Sequence, residues 1–169
     1  PVTFTVAGTV SGVSAGLKAL GGSTAATLQV VRATTYTEPA SAAQRSMSSA
    51  SASDAAAGVG ARTVKITYYD STGAGPLTET ITLNGTTAVN TVATNIQFIE
   101  KMEVVTAGTT ATNVGVITLF STTAGGGTVV GTIGVGSIVT AVGDGRTLWA
   151  HHYVATGKTA QFSVLICGV

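Results

Sequence analysis

The fold class follows from two runs of sequence, Thr63-Val64-Lys65-Ile66-Thr67-Tyr68 and Leu77-Thr78-Glu79-Thr80-Ile81-Thr82-Leu83. Apolar and polar residues alternate in each run, which is typical of a β-strand with one buried face and one exposed face. Residues 71–76, Ser-Thr-Gly-Ala-Gly-Pro, favour a turn between the two strands. The pair Asn84-Gly85 predicts a second turn, because both residue types tolerate the positive φ of a type I′ hairpin. Together they predict a β-meander.

Further strands are predicted at regular spacing around this meander, at residues 27–32, 96–105, 114–120, 128–133, 147–154 and 159–167. Glycine-rich turns are expected at 125–127 and 143–145. About eight to ten short strands indicate an all-β fold, an antiparallel β-sandwich or barrel, and we expect a β-sandwich in jelly-roll form. We assign residues 27–169 to this domain and residues 1–26, which mix Gly, Ser, Ala and Thr, to a flexible N-terminal arm or peripheral segment.

Two stretches have weaker patterns. Residues 40–58 are rich in Ala and Ser and lack an apolar stripe of helical period, so they predict an edge strand or extended loop around Met47. In residues 96–105, strict alternation predicts one face for the side chains Ile96, Phe98, Glu100, Met102 and Val104, and the opposite face for Ile99 and Val105.

Several segments resemble the small β-sandwich structural proteins of tailed-phage virions. They are residues 54–64, 79–89, 104–108 and 113–118, joined by residues 153–159, where Ala155 and Thr156 replace the Pro-Ala pair of a Tyr-x-Val-Pro-Ala-Gly-Lys-Thr turn. The functional analogue is a cement, or decoration, protein on the outside of a capsid. The resemblance implies the major capsid protein as partner, self-association into a homo-oligomer on the capsid, and a location on the virion surface after assembly in the host cytoplasm.

Composition narrows the classes of partner. The 169 residues carry a net charge of +1, and 9% of them are charged, against roughly 25% in an average soluble domain. Scattered Lys and Arg residues argue against a nucleic-acid partner, which needs clustered positive charge. No run reaches the ~20 apolar residues of a membrane helix, and no signal peptide is visible, so we expect no membrane partner and synthesis in the cytoplasm. Low net charge favours association; the alternative is a soluble monomer with a threonine-rich surface.

Candidate chemical groups are few. His151 and His152 are consecutive, so on a strand they face opposite sides and cannot chelate one ion together. Gly157-Lys158-Thr159 resembles the end of a phosphate-binding loop, but His152 occupies the position of the required glycine and no helix pattern follows. A tight turn explains those residues better.

The remaining candidates are equally isolated. Glu100 and Glu103 would align only on a helix, and Cys167, the single cysteine, has no activating neighbour in sequence. We therefore predict no catalytic, cofactor-binding or metal-binding residues and no enzyme activity.

The alternatives to a cement protein are a head-fibre base, a tail-tube or receptor-binding module, and a non-viral adhesin domain, which would need a secretion signal.

Overall fold

The computed structural model describes residues 36–136 and 145–147. It contains seven β-strands and one short 3-10 turn in that part of the chain, and no helix there is long and apolar enough to cross a membrane. The strands are β1 (Ser46–Ser49), β2 (Ala61–Asp70), β3 (Leu77–Thr82), β4 (Val89–Asn90), β5 (Ile96–Ala107), β6 (Ile117–Phe120) and β7 (Val129–Ile133). The arm predicted at 1–26, the strands predicted at 27–32 and 159–167, and most of 147–154 lie outside the described residues.

The strands form two antiparallel sheets packed as a sandwich, which confirms the predicted all-β class. One sheet has the order β4-β1-β6-β7 and the other the order β3-β2-β5. Their inner faces share one core of buried aliphatic, Met and Tyr side chains, among them Met47, Val64, Ile66, Met102 and Leu119. The alternation predicted for residues 63–68 is confirmed, since Val64, Ile66 and Tyr68 are buried. In 77–83 it holds for Ile81 and Leu83, which are buried, but not for Leu77, which is exposed.

Residues 71–76 connect β2 to β3 in a hairpin, as predicted. The carboxylate of Asp70 organises this turn by accepting hydrogen bonds from the backbone N–H of Thr72 at 2.8 Å and of Ala74 at 3.0 Å. Gly73 has a φ of 78°, a left-handed value that glycine adopts without steric cost.

The turn at Asn84-Gly85 differs from the prediction. Gly85 has a φ of 59°, but Asn84 does not have positive φ, so the turn is not type I′. It joins β3 of the three-stranded sheet to β4 of the four-stranded sheet, and therefore carries the chain between sheets instead of closing a hairpin. Distant contacts fix it, because the Gly85 N–H donates to the Asp54 carbonyl at 2.8 Å and the Gly85 carbonyl accepts from the Ser49 N–H at 2.9 Å.

The stretch around Met47 is a strand, but the prediction of an edge position is wrong. β1 lies between β4 and β6, and Met47 is completely buried in the core. The serines made this segment look solvent-exposed, yet Ser46 and Ser49 are buried as well. Their hydroxyls are used in hydrogen bonds: Ser46 Oγ donates to the Thr122 carbonyl at 2.6 Å, and Ser49 Oγ to the Asp54 carboxylate at 2.5 Å.

The face assignment predicted for residues 96–105 is wrong at Phe98 and Ile99. Ile99 belongs to the core cluster together with Ile96 and Met102, whereas Phe98 does not. The cause is two irregularities in β5. Lys101 is in register with Thr67 and Ile99 with Tyr68, so Glu100 is an extra residue between them, and a second shift between Phe98 and Ile96 returns Ile96 to the core face. A β-bulge of this kind reverses which side chains face the core beyond it.

Candidate functional site

The chemical groups considered in the sequence do not assemble into a reactive site within the described part of the chain. His151, His152, Lys158 and Cys167 lie outside it. Glu103 is engaged in ion pairs with Lys65 at 2.6 Å and Lys101 at 3.1 Å. These contacts lower the pKa of its carboxyl, through the Lys65 hydrogen bond above all. Among residues 36–136 and 145–147, no three His, Cys, Asp or Glu residues lie together as a metal site would require.

The most connected polar group is the completely buried carboxylate of Asp54. Its Oδ1 accepts hydrogen bonds from the backbone N–H of Ala61 at 2.8 Å and of Val114 at 2.9 Å. Its Oδ2 accepts from the N–H of Gly115 at 2.8 Å and from Ser49 Oγ at 2.5 Å. Both oxygens are thus satisfied by four donors from three separate segments. We call Asp54 and these donors the Asp54 junction; its arrangement is that of a structural anchor.

Two glycines make the close approach to Asp54 possible. A Cβ atom at Gly60 would collide with Oδ1 of Asp54, and a Cβ atom at Gly115 would collide with the backbone of Ser51. Because backbone N–H groups must come within hydrogen-bonding distance of the carboxylate, side chains at these two positions have no room. Gly60 and Gly115 are therefore required by the close packing around the Asp54 carboxylate.

A buried cation anchors another part of the sandwich. Arg45 is 1% exposed, and its Nη2 donates to the carbonyls of Ser41 at 2.7 Å and Ile96 at 2.5 Å. Its Nη1 donates to the carbonyl of Ser121, while its buried Nε has no hydrogen-bond partner in the structure. Burial lowers the pKa of this guanidinium. Its three acceptors are backbone carbonyls from different segments, so Arg45 acts as a clamp between them.

Tyr36 joins the two sheets at the side of the sandwich formed by β5 and β7. Its hydroxyl accepts a hydrogen bond from the Ile99 N–H at 3.2 Å, while the N–H of the following residue, Thr37, donates to the Val130 carbonyl in β7 at 2.8 Å. The Tyr36 ring meets the Phe98 ring edge-on at 5.5 Å between centroids. Burial raises the pKa of the Tyr36 phenol to about 12, so it is neutral at physiological pH.

The two longest strands described, β2 and β5, lie in the three-stranded sheet. We call the outer face of this sheet the threonine face. Its cross-strand rows contain Thr78, Thr67 and Lys101, then Thr80, Lys65 and Glu103, then Thr82, Thr63 and Thr106. The charged members are ion-paired with each other, and the hydroxyls of Thr63 and Thr106 are 2.6 Å apart. Hydroxyl groups both donate and accept hydrogen bonds, so this face offers donors and acceptors along all three of its rows.

Sequence reasoning missed both buried charges. Asp54 stands in a run of Ala and Gly just before a strand, and Arg45 stands in a run of Ala and Ser. The sequence does contain one signal. A charged residue that stands alone among small residues, as Asp54 and Arg45 do, can be packed closely by the backbone around it. Its partners were not predictable, because Val114 and Gly115 lie 60 and 61 positions away from Asp54.

Comparison with known proteins identifies no family for this chain. No protein-family model, curated protein or solved structure matches this chain.

Proposed function

We propose that this chain is a virion structural protein, a capsid cement or decoration protein that binds the outside of the major capsid protein shell and stabilises it. One observation carries the proposal. Four of the segments that resemble phage β-sandwich proteins, residues 54–64, 79–89, 104–108 and 113–118, meet around the Asp54 junction. Asp54 contacts three of them, and the Gly108 N–H donates to the Gly60 carbonyl at 2.8 Å. The resemblance thus concerns residues that hold the fold together.

The threonine face is the proposed capsid-binding surface. β2 and β5, at 10 and 12 residues, are the longest strands described, so this face is longer along its strands than the outer face of the other sheet. Its charged groups, Lys65, Lys101 and Glu103, already pair with one another, so docking would leave none of them without an opposite charge. A rigid sandwich that touches two neighbouring capsid subunits raises the work needed to separate them.

Substitutions on the two outer faces test this surface. Thr67 and Thr118 are half-buried threonines in β2 and β6, each an inner strand of its sheet. Thr67→Glu places a carboxylate beside Lys101, its register partner, which keeps the monomer stable but obstructs the centre of the threonine face. We expect full-length protein to bind undecorated capsids saturably and to raise their heat resistance. Thr67→Glu should weaken binding about tenfold or more, whereas Thr118→Glu should bind like the unmodified protein.

The remaining features of the proposal have their own tests. We expect binding to depend only mildly on salt, since few charges contribute, and deletion of residues 1–26 to weaken binding while the sandwich stays folded. If the protein without residues 1–26 binds capsids as tightly as the full-length protein, the proposed role of this segment as a binding arm is wrong. If the protein does not bind capsids but binds phage tails or cells, the receptor-binding alternative replaces the cement function.

The jelly-roll form is part of the same proposal. Residues 145–147 lie beside β5: the Val104 N–H donates to the Gly145 carbonyl at 2.5 Å, and the Thr147 N–H donates to the Met102 carbonyl at 2.8 Å. This position would hold an eighth strand, completing a second four-stranded sheet as jelly rolls have.

A further inference from the structure

The outer edge of β3 differs from the other sheet edges. Along β5, the N–H groups of Ile99, Met102 and Val104 are bonded to Tyr36, Thr147 and Gly145. Along β7, the Val130 carbonyl accepts from Thr37. β4 spans only Val89–Asn90, too short to pair with another chain over any length. β3 has six residues and, in the described part of the structure, a partner on one side only, which is β2.

The register identifies the backbone groups that face outward along β3. The Leu83 N–H donates to the Arg62 carbonyl at 2.9 Å, and the pairing of β2 with β3 continues without irregularity. Since hydrogen-bonded and non-hydrogen-bonded pairs alternate in an antiparallel ladder, the odd-numbered residues of β3 bond β2. The N–H and C=O groups of Thr78, Thr80 and Thr82 therefore point away from the sheet. Their side chains are exposed and uncharged.

We infer that β3 pairs with β3 of a second copy of this chain in an antiparallel arrangement, around a two-fold axis at Thr80. In that register Thr80 faces its own counterpart, and Thr78 of each copy faces Thr82 of the other. All of the outward backbone groups then bond at once, because each of the three residues offers both a donor and an acceptor. The two three-stranded sheets become one continuous sheet, the isologous contact typical of symmetric dimers.

Charge and exposed apolar surface favour a second copy as the occupant. No charged side chains face each other in this register: Glu79 lies opposite Ile81 of the other copy. The Glu79 carboxylate is also held inside its own chain, accepting from the N–H groups of Val92 at 2.6 Å and Ala93 at 3.0 Å. That contact fixes Val92, which is 86% exposed, beside the open edge, while Leu77 at the start of β3 is 39% exposed. A chain with a net charge of +1 does not repel its own copy.

Natural proteins usually protect long strand edges with lysine, proline or a bulge facing the solvent. β3 has no lysine, proline or bulge between Leu77 and Thr82, and its one charged side chain, Glu79, is bonded to Val92 and Ala93 of its own chain, which supports its use as an interface. The inference does not rest on the proposed function, and its test uses purified protein in the absence of capsids. Failure of dimerisation is therefore distinguishable from failure of capsid binding.

The test is sedimentation of the purified full-length chain over a wide range of concentrations. We expect a reversible dimer. Thr80→Glu sits beside Lys65 in its own chain but puts two carboxylates face to face across the axis, so it should raise the dimer dissociation constant about tenfold or more. Thr80→Pro should abolish the dimer, because it removes an outward N–H without affecting the bonds to β2. Thr109→Glu, in the exposed turn after β5, is the matched control and should dimerise normally.

Mixing two variants of opposite charge distinguishes this register from other modes of association. Thr80→Lys alone should also be weakened, and a mixture of Thr80→Glu with Thr80→Lys should restore dimerisation through opposite charges across the axis. Circular dichroism of each variant must match the unmodified protein. The inference is overturned if the unmodified chain stays monomeric at the highest soluble concentration, if Thr80→Glu and Thr80→Pro dimerise like Thr109→Glu, or if the mixture fails to restore the dimer.

Discussion

Single buried charges hold the loops of this sandwich in place. Asp54 and Arg45 are both buried, and neither pairs with an opposite charge in the contacts described. Their partners are mostly backbone groups. The carboxylate accepts from three N–H groups and the Ser49 hydroxyl, and the guanidinium donates to three carbonyls, although its Nε has no partner. A buried charge is costly unless its hydrogen bonds are made, so these two residues define positions for the segments that bind them.

Replacing Asp54 should therefore destabilise the protein strongly. In Asp54→Asn one oxygen becomes an NH₂ group, which cannot accept from the N–H groups that the carboxylate now binds. We expect the free energy of unfolding to fall by about 3 kcal/mol or more, since a buried network loses charge-assisted bonds. Urea denaturation measures this change.

Asp70→Asn is the matched control for that experiment. The Asp70 carboxylate also accepts several hydrogen bonds, but it does so at an exposed turn. Water can replace the lost bonds there, so the loss of stability should be clearly smaller. Equal losses for the two variants would contradict the role assigned to the Asp54 junction.

The ion pairs of Glu103 should make the stability of the folded protein depend on pH. The pKa of Glu103 is lowered in the folded protein from an ordinary value of about 4.5, because Lys65 and Lys101 favour the ionised form. A lowered folded-state pKa adds stability above the unfolded-state pKa, and that stability is lost as the pH falls through the folded-state value. Glu103→Gln should thus cost about 0.2–1 kcal/mol at pH 7, limited by solvent screening.

The same substitution should cost less and less as the pH falls through the folded-state pKa of Glu103, because the carboxyl then becomes protonated in folded and unfolded chains alike. Denaturation of both proteins across the acid range measures the difference. A constant difference at all pH values would show that packing, and not charge, accounts for the effect of Glu103.

At the scale of strands, Glu79 connects the two sheets at their β3–β4 side. Its carboxylate leaves β3 and binds the N–H groups of Val92 and Ala93 in the loop between β4 and β5. The loop has little other support at Val92, whose side chain is mostly exposed. The Glu79 side chain therefore holds the Val92 end of this loop against β3, while Thr91 is bonded to the carbonyl of Arg45.

Glu79→Ala should loosen that loop without unfolding the sheets. Hydrogen bonds to a charged group contribute about 1.5–3 kcal/mol, so amide exchange at Val92 and Ala93 should accelerate at least about tenfold. Amides in the ladder between β2 and β5 should keep their protection. Hydrogen exchange measured by NMR resolves these sites, and Thr78→Ala on the same strand serves as control. Unchanged exchange at Val92 would mean that other contacts hold the loop.

For the whole molecule, the sequence was sufficient for the class of fold and for the regular strands. Strict alternation located β2 and β3 because every second side chain enters the core. It failed in β5, where the extra residue at Glu100 reverses the faces, since local sequence does not show where a partner strand skips a residue. It also failed at β1, because the hydrogen bonds that allow Ser46 and Ser49 to be buried come from residues far along the chain.

Metal removal should leave the whole molecule unchanged. The buried polar groups Asp54 and Arg45 are bonded to protein groups, and His151 and His152 are predicted to face opposite sides of a strand. We expect the melting temperature to be the same with and without a chelator, and far-UV circular dichroism to show strand with little helix. A drop of several degrees, or zinc retained through purification, would contradict the interpretation of the two histidines.

The separation in sequence between the members of the Asp54 junction has a consequence for the order of folding. The β2–β3 hairpin closes over residues 71–76 alone, whereas Gly115 must reach Asp54 across 61 positions. Closing a longer loop costs more chain entropy, and nonlocal contacts slow folding. The hairpin should thus form early and the Asp54 junction late. Between these two steps the β2–β3 hairpin is formed but the Asp54 junction does not yet align the two sheets. A newly made chain is then most prone to pair its strands with those of another chain.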